Sequence, residues 1–218
     1  MILFISGSPR RDRTIHTTLK KISEQINFEY EIVTLAGKKI SGCIGCELCA
    51  KDNVCKVKDD WQAIAEKMKN AELIVFGAPN YFNNINAIAH SFWERTFSFK
   101  HQGVYTLKDK YGIIVTAKRD ENSVDTVYPI INQFMKFNKI EVIGQVCGIG
   151  CDPCFTCGYG HNCTVGNVYN KFGILEKIED KHFPMQICQQ TNTLEEIKHI
   201  ADIINSTCKK DSLLVNTF

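Results

Sequence analysis

Five short strand-like runs, each closed by a turn and followed by a stretch of helical spacing, constrain this chain more than any other feature. They are ILFIS at 2–6, YEIVTL at 30–35, ELIVFG at 72–77, YGIIVT at 111–116 and KIEVIGQV at 139–146. Helical spacing follows at 14–25, where Ile15, Leu19, Ile22 and Ile26 fall on one face, and again at about 61–70, 84–97, 124–137 and 194–207. Asp59 and Asp60 stand where N-caps of the second helix belong. Ala78-Pro79-Asn80 is expected to break the third strand. Strands that alternate with helices over short connections must run parallel, through right-handed crossovers, with helices on both faces. The expected architecture is therefore an α/β three-layer sandwich formed by one domain over 1–218.

Composition narrows the function classes. A net charge of +2 on 218 residues gives no footprint for nucleic acid or an anionic membrane. The apolar start MILFI is too short for a signal peptide's core, and no later run approaches membrane-spanning length. A cytoplasmic location is the expectation. Eleven cysteines are out of keeping with that plainness, and nine of them fall in two tight groups. An odd total leaves a thiol unpaired within the chain, and clustered thiols in a reducing compartment point to metal ligation or redox chemistry.

Parallel sheets bind ligands beyond the carboxyl ends of their strands. The first such end reads Ser6-Gly7-Ser8-Pro9-Arg10-Arg11-Asp12-Arg13-Thr14 and leads directly into a helix. Hydroxyls, guanidinium groups and free helix N–H groups together make a phosphate cradle, with a merely solvated polar turn as the alternative. The spacing matches neither a P-loop nor a dinucleotide fingerprint. The third end reads Gly77-Ala78-Pro79-Asn80-Tyr81-Phe82-Asn83-Asn84. Its two aromatics and three amides suit a planar heterocycle, or else the aromatics pack inward. Lys118 and Arg119 read as a solvated face, with contact to a nicotinamide cofactor's phosphates as the alternative, and His101 as isolated.

Taken together, these two loops resemble the NAD(P)H-dependent FMN reductase branch of the flavodoxin superfamily. The likeness continues through 87–95, where Glu94-Arg95 replaces that family's usual Asp-Arg. The resemblance covers about residues 1–146 and implies a flavodoxin-like five-stranded parallel sheet of order 2-1-3-4-5. It also implies an FMN-dependent oxidoreductase, with NAD(P)H as co-substrate or ferredoxin as donor. By carry-over, Ser8, Arg10, Arg13 and Thr14 lie near the FMN phosphate, and Pro79, Asn80, Tyr81, Phe82 and Asn83 flank the isoalloxazine. Thr116 and Ala117 complete the site from a fourth-strand loop that lacks the family's glycines. Relatives are commonly dimers, so the resemblance implies a homodimer or higher homo-oligomer serving small-molecule or protein electron donors and acceptors.

The first cysteine group, within a loop at about 41–58, is Cys43, Cys46, Cys49 and Cys55, spaced C-x2-C-x2-C-x5-C. A single zinc ion usually draws its ligands from two separated pairs, so a compact triplet with a fourth partner favours an iron–sulfur cube. The spacing resembles the iron–sulfur flavoproteins, which implies a [4Fe–4S] cluster here; cysteines without a cluster are the alternative. The second group, Cys151, Cys154, Cys157 and Cys163 with Cys147 just before them, repeats the separations inside an insertion after strand five, at about 147–170. The family pattern does not require it. A second cluster, zinc with His161 as a nitrogen ligand, disulfides and free thiols all stay open.

Overall fold

The computed structural model describes residues 1–214, with side chains through Cys208. Its strands are β1 (Ile2–Ser6), β2 (Tyr30–Thr34), β3 (Leu73–Tyr81), β4 (Asn84–Ile85), β5 (Tyr111–Lys118) and β6 (Glu141–Ile149). All but β4 run parallel, in the order β2-β1-β3-β5-β6, and β4 folds back antiparallel on the end of β3. The five long strands are the expected ones in the expected order. Because Ser6 pairs with both Thr34 and Gly77, the central strands reach their carboxyl edge together.

Side chains alternate across this sheet into two cores, as a period of two dictates. Leu3, Ile5, Ile74, Phe76 and Ile114 enter the core beneath α2 (Trp61–Asn70), α3 (Ala87–Arg95) and α4 (Tyr128–Phe137). Ile2, Phe4, Leu73, Val75 and Ile113 enter the core shared with α1 (Thr14–Ser23) and α6 (Thr191–Leu214). Aromatic rings fill the first core: Phe76 stacks on Phe92 at 5.3 Å and meets Trp93 edge-on at 4.9 Å. Among the described residues no helix is long and apolar enough to cross a membrane.

The structure departs from the sequence expectations at element ends. Pro79 does not stop β3: it is itself paired with Ala117 of β5, and the strand continues to Tyr81 paired with β4. β1 has already ended there, so the missing N–H interrupts no central ladder. The third helix begins at Ala87, since Asn84 and Ile85 pair back onto Tyr81 and Asn80. Cys147 lies on β6 opposite Thr116, not in a loop, and the insertion runs from 150 to 190 with one short helix, α5 (Asn167–Phe172).

Candidate functional site

The loop after β1 is pressed against β3 by its glycine. The Gly7 N–H donates to the Gly77 carbonyl at 2.7 Å, and a Cβ at Gly7 would stand 3.0 Å from both that oxygen and the Ala89 Cβ. The Asn86 amide, at the start of α3, donates to the Gly7 carbonyl at 2.8 Å and ties the first loop to the third. Ser8, almost fully buried, donates its hydroxyl to the Arg10 carbonyl and accepts from the Arg10 N–H. That tight turn aims the chain into α1, whose first-turn N–H groups face the loop with no acidic side chain among them.

The third loop is a two-residue turn. Asn80 and Tyr81 pair with Ile85 and Asn84, and the residues between, Phe82 (φ +53°) and Asn83 (φ +60°), both adopt the left-handed conformation. Asn80 braces it by accepting the Asn83 N–H at 2.9 Å and donating to the Thr126 hydroxyl at 3.0 Å. Holding a phenylalanine at positive φ is costly, and the result is a fully exposed ring beside a cleft.

Between these loops opens a cleft of about 900 Å³. Ser8, Arg10, Arg13, Thr14, Pro79, Asn80, Tyr81, Phe82, Asn83 and Ala117 line it. Thr116 does not: it is buried, and its hydroxyl is spent on Asp125, which in turn accepts the N–H groups of Val127 and Tyr128 at the start of α4. Thr116 is thus a framework residue. Lys118 and Arg119, read from sequence as a solvated face, line the cleft, as do Ser123, Thr126, Cys151 and Asn167. The last two lie far from the motifs in sequence, and only the closure of the insertion over β5 brings them in. A lining that combines the cations Arg10 and Arg13 with the aromatic Tyr81 and Phe82 fits an anionic, aromatic ligand of FMN's kind.

Cys43, Cys46, Cys49 and Cys55 line one small pocket with Arg95, Phe97 and Ser98. Arg95, at the end of α3, is buried; its Nε donates to Cys55 Sγ at 3.2 Å and its Nη1 to Asp59 at 2.7 Å, with further bonds to the Ser41 and Val57 carbonyls. Glu94 accepts the Cys43 N–H at 3.1 Å. His101 is not isolated, since its Nε2 lies 3.1 Å from Cys49 Sγ. Asp59 binds the Trp61 N–H as a cap would, but Asp60 turns instead to the Lys39 N–H. Burial pushes the Cys49 thiol up, and the neighbouring Cys55, Cys43 and Cys46 add to this. Among the described residues no three Cys, His, Asp or Glu side chains converge as one metal ion needs. A cube spreads its ligands over separate corners, so four thiols around a pocket beside a guanidinium suit that larger group.

The second set does not stay together. Cys151 lines the cleft, where burial raises its thiol and Arg13 and Arg10 oppose the rise; Arg10 Nη2 also reaches the Cys151 carbonyl at 3.4 Å. The Cys154 and Cys163 sulfurs both lie 3.4 Å from where a Cβ at Gly166 would sit. Cys157 Sγ donates to the Cys154 carbonyl at 3.6 Å. Cys147 is apart from both sets, and burial pushes its thiol up to about 11, far from a reactive thiolate at neutral pH.

Comparison with known proteins agrees with this geometry. An iron–sulfur flavoprotein of Methanocaldococcus jannaschii is 31% identical over 147 residues, 65% of this chain and 75% of its own. One of Archaeoglobus fulgidus is 28% identical over 153 residues, 68% of each chain. The solved structure of an archaeal flavodoxin, 14% identical, superposes with a TM-score of 0.50 over 96% of this chain and 99% of its own, which speaks to the fold. The model of the NADPH-dependent FMN reductase family matches residues 1–151. With a flavodoxin-like sheet, a cationic cleft at its carboxyl edge and that match over most of its length, this chain is an oxidoreductase belonging to the NADPH-dependent FMN reductase family.

Proposed function

We propose that the chain works as one domain that binds FMN in the cleft at the carboxyl edge of the sheet and passes electrons between a reduced donor and an acceptor, with a [4Fe–4S] cluster held by Cys43, Cys46, Cys49 and Cys55. The observation that carries this reading is the pairing of a cationic cleft with a separate pocket rimmed by four thiols. FMN, when bound, supplies the capacity to take electrons in pairs and release them singly. The chain's own residues do the rest. Arg10, Arg13 and Thr14 hold the phosphate end; Pro79, Asn80, Tyr81, Phe82 and Asn83 hold the ring; Asn86 keeps the two loops in register. At the thiol pocket, Arg95 and His101 offset the negative charge of thiolate ligands and set how readily the cluster is reduced.

α3 separates the two sites. Asn86 at its start touches the cleft's first loop and Arg95 at its end touches Cys55, so the nine-residue α3, about 13 Å of helix, spans the distance from one to the other. This favours a homodimer or higher oligomer in which one protomer's cluster approaches its partner's flavin. Lys118 and Arg119 at the cleft suit the phosphates of NAD(P)H, and ferredoxin is the alternative donor. The near-balanced charge of +2 supports small-molecule and protein electron partners over nucleic acid, and a cytoplasmic setting keeps the thiols reduced.

Anaerobic purification followed by a visible spectrum, iron and acid-labile sulfide analysis, and steady-state turnover with NADH and NADPH tests the proposal. Bound FMN with iron and sulfide that vanish in Cys46→Ser is the expected result. Wild-type protein without iron would reduce the reading to a plain flavin or quinone reductase, and absence of turnover with either nucleotide would favour an electron carrier.

A further inference from the structure

The insertion 150–190 lies almost wholly outside the family match, which ends at Cys151. It is fastened at its base: the Gln190 side chain accepts the Ile149 N–H at 2.9 Å and donates to the Ile149 carbonyl at 3.0 Å and the Met185 carbonyl at 2.8 Å. Beyond that clamp it has little to fold around. Between 151 and 189 the buried apolar side chains are Val168 and Ile187, and Ile187 belongs to the sheet core. Ordering so long a segment costs more conformational entropy than two buried aliphatic groups return. It carries thiols instead: the half-buried Cys154 and Cys163 both bring their sulfurs within 3.4 Å of the point a Cβ at Gly166 would occupy, and the exposed Cys157 donates to the Cys154 carbonyl. The same segment presents Cys151, Asp152, Pro153 and Asn167 to the flavin cleft, and Asn167 holds Asp152 at 2.8 Å.

We propose that Cys154, Cys157 and Cys163 ligate a second, thiophilic metal centre that orders the insertion and so builds one wall of the flavin cleft, with Cys151 belonging to the cleft and not to the metal. Thiolate ligation couples metal binding to local folding, and it replaces the apolar core that the segment lacks. Gly166 fits this role. Its φ of −91° suits any residue, so the backbone does not call for glycine there, whereas a side chain would stand against both sulfurs.

The test uses full-length protein, purified anaerobically, in the Cys46→Ser background that disables the first set. Its flavin spectrum verifies that it is folded, and its iron, acid-labile sulfide and zinc are measured. Metal is expected to persist in this background. Adding Cys154→Ser and Cys163→Ser should lower it at least roughly tenfold and open residues 151–189 to limited proteolysis, while adding Cys151→Ser should leave it in place. Gly166→Val, which removes no ligand, should lower it as well. Iron with acid-labile sulfide supports the centre, and zinc alone overturns it, because among the described residues no three side chains converge as a single ion needs. Metal-free Cys46→Ser protein, or metal that survives Cys154→Ser with Cys163→Ser, overturns it, and metal lost equally with Cys151→Ser overturns the three-thiol assignment. A wild-type protein whose metal depends on Cys154 and Cys163 but not on Cys46 would sink the first-set reading and uphold this one.

Discussion

At 43–55 the thiols rest on a packed framework, in which a buried arginine bonds Cys55 and Asp59, a glutamate holds the Cys43 N–H, and a histidine stands against Cys49. At 151–163 the same spacing hangs on a segment with scarcely any core, clamped at its base by one glutamine. The first set lies at the far end of α3 from the cleft; of the second, Cys151 lines the cleft. One ligand pattern thus occurs once on a hydrogen-bonded, packed framework and once on a segment with little buried apolar surface of its own. The difference teaches that spacing states what four cysteines can hold, while their surroundings decide what holding it does to the protein.

The largest expected effect breaks the first scaffold. Arg95→Met leaves the Asp59 carboxylate buried without its cation, since the Arg95 side chain is fully buried and Asp59 is 11% exposed. Breaking such a pair typically costs about 3–5 kcal/mol. Urea denaturation should show a loss of that size, and a loss below about 1 kcal/mol would mean that the first loop does not depend on this framework.

A smaller effect is expected at the cleft. Arg10→Ala with Thr14→Ala removes two phosphate donors, each contributing about 1.5–3 kcal/mol where charge assists, so FMN should bind at least roughly tenfold more weakly. A titration indistinguishable from the parent would move the phosphate elsewhere, and with it the contrast between a set with Cys151 at the cleft and a distant one.

Acid should separate the two regions more gently. Burial raises the Asp59 carboxyl, but the Arg95 guanidinium and the Ser41 and Trp61 N–H groups outweigh it, leaving the carboxyl below its ordinary range. A depressed carboxyl contributes stability that is fully present above the unfolded value of about 3.9 and is lost as pH falls through the lower folded value. Below about pH 4, therefore, the environment of the buried Trp61 should loosen, as read by its fluorescence, and Asp59→Asn should remove that pH dependence while lowering stability at neutral pH. An unaltered acid profile in that variant would assign the transition to other groups.

The smallest effect sharpens the comparison. Cys46→Ser should change FMN affinity by less than about twofold, because the first set shares no side chain with the cleft. A large loss of flavin on this substitution would show that the sites are coupled within one chain.

Local pattern in the chain was enough for a parallel sheet, the helices on both faces and the two loops that meet at the cleft, while the strand order came from the family resemblance of those loops. Those properties follow from period-two and helical spacing, from turn residues, and from a rule that places ligands at the carboxyl edge of parallel strands. Tertiary structure alone decided the partners that are remote in sequence. His101 reaches Cys49 across 52 positions, Arg10 reaches the Cys151 carbonyl across 141, Lys118 and Arg119 turn into the cleft, and Thr116 turns away from it to Asp125. The equal spacing of the two cysteine sets also gave no sign that Cys151, alone of them, would line the cleft. The physical reason is the same in each case. Spacing governs what neighbours along a chain can do together, whereas burial and hydrogen bonding are settled by whichever distant surfaces the packed sheet and helices bring into contact.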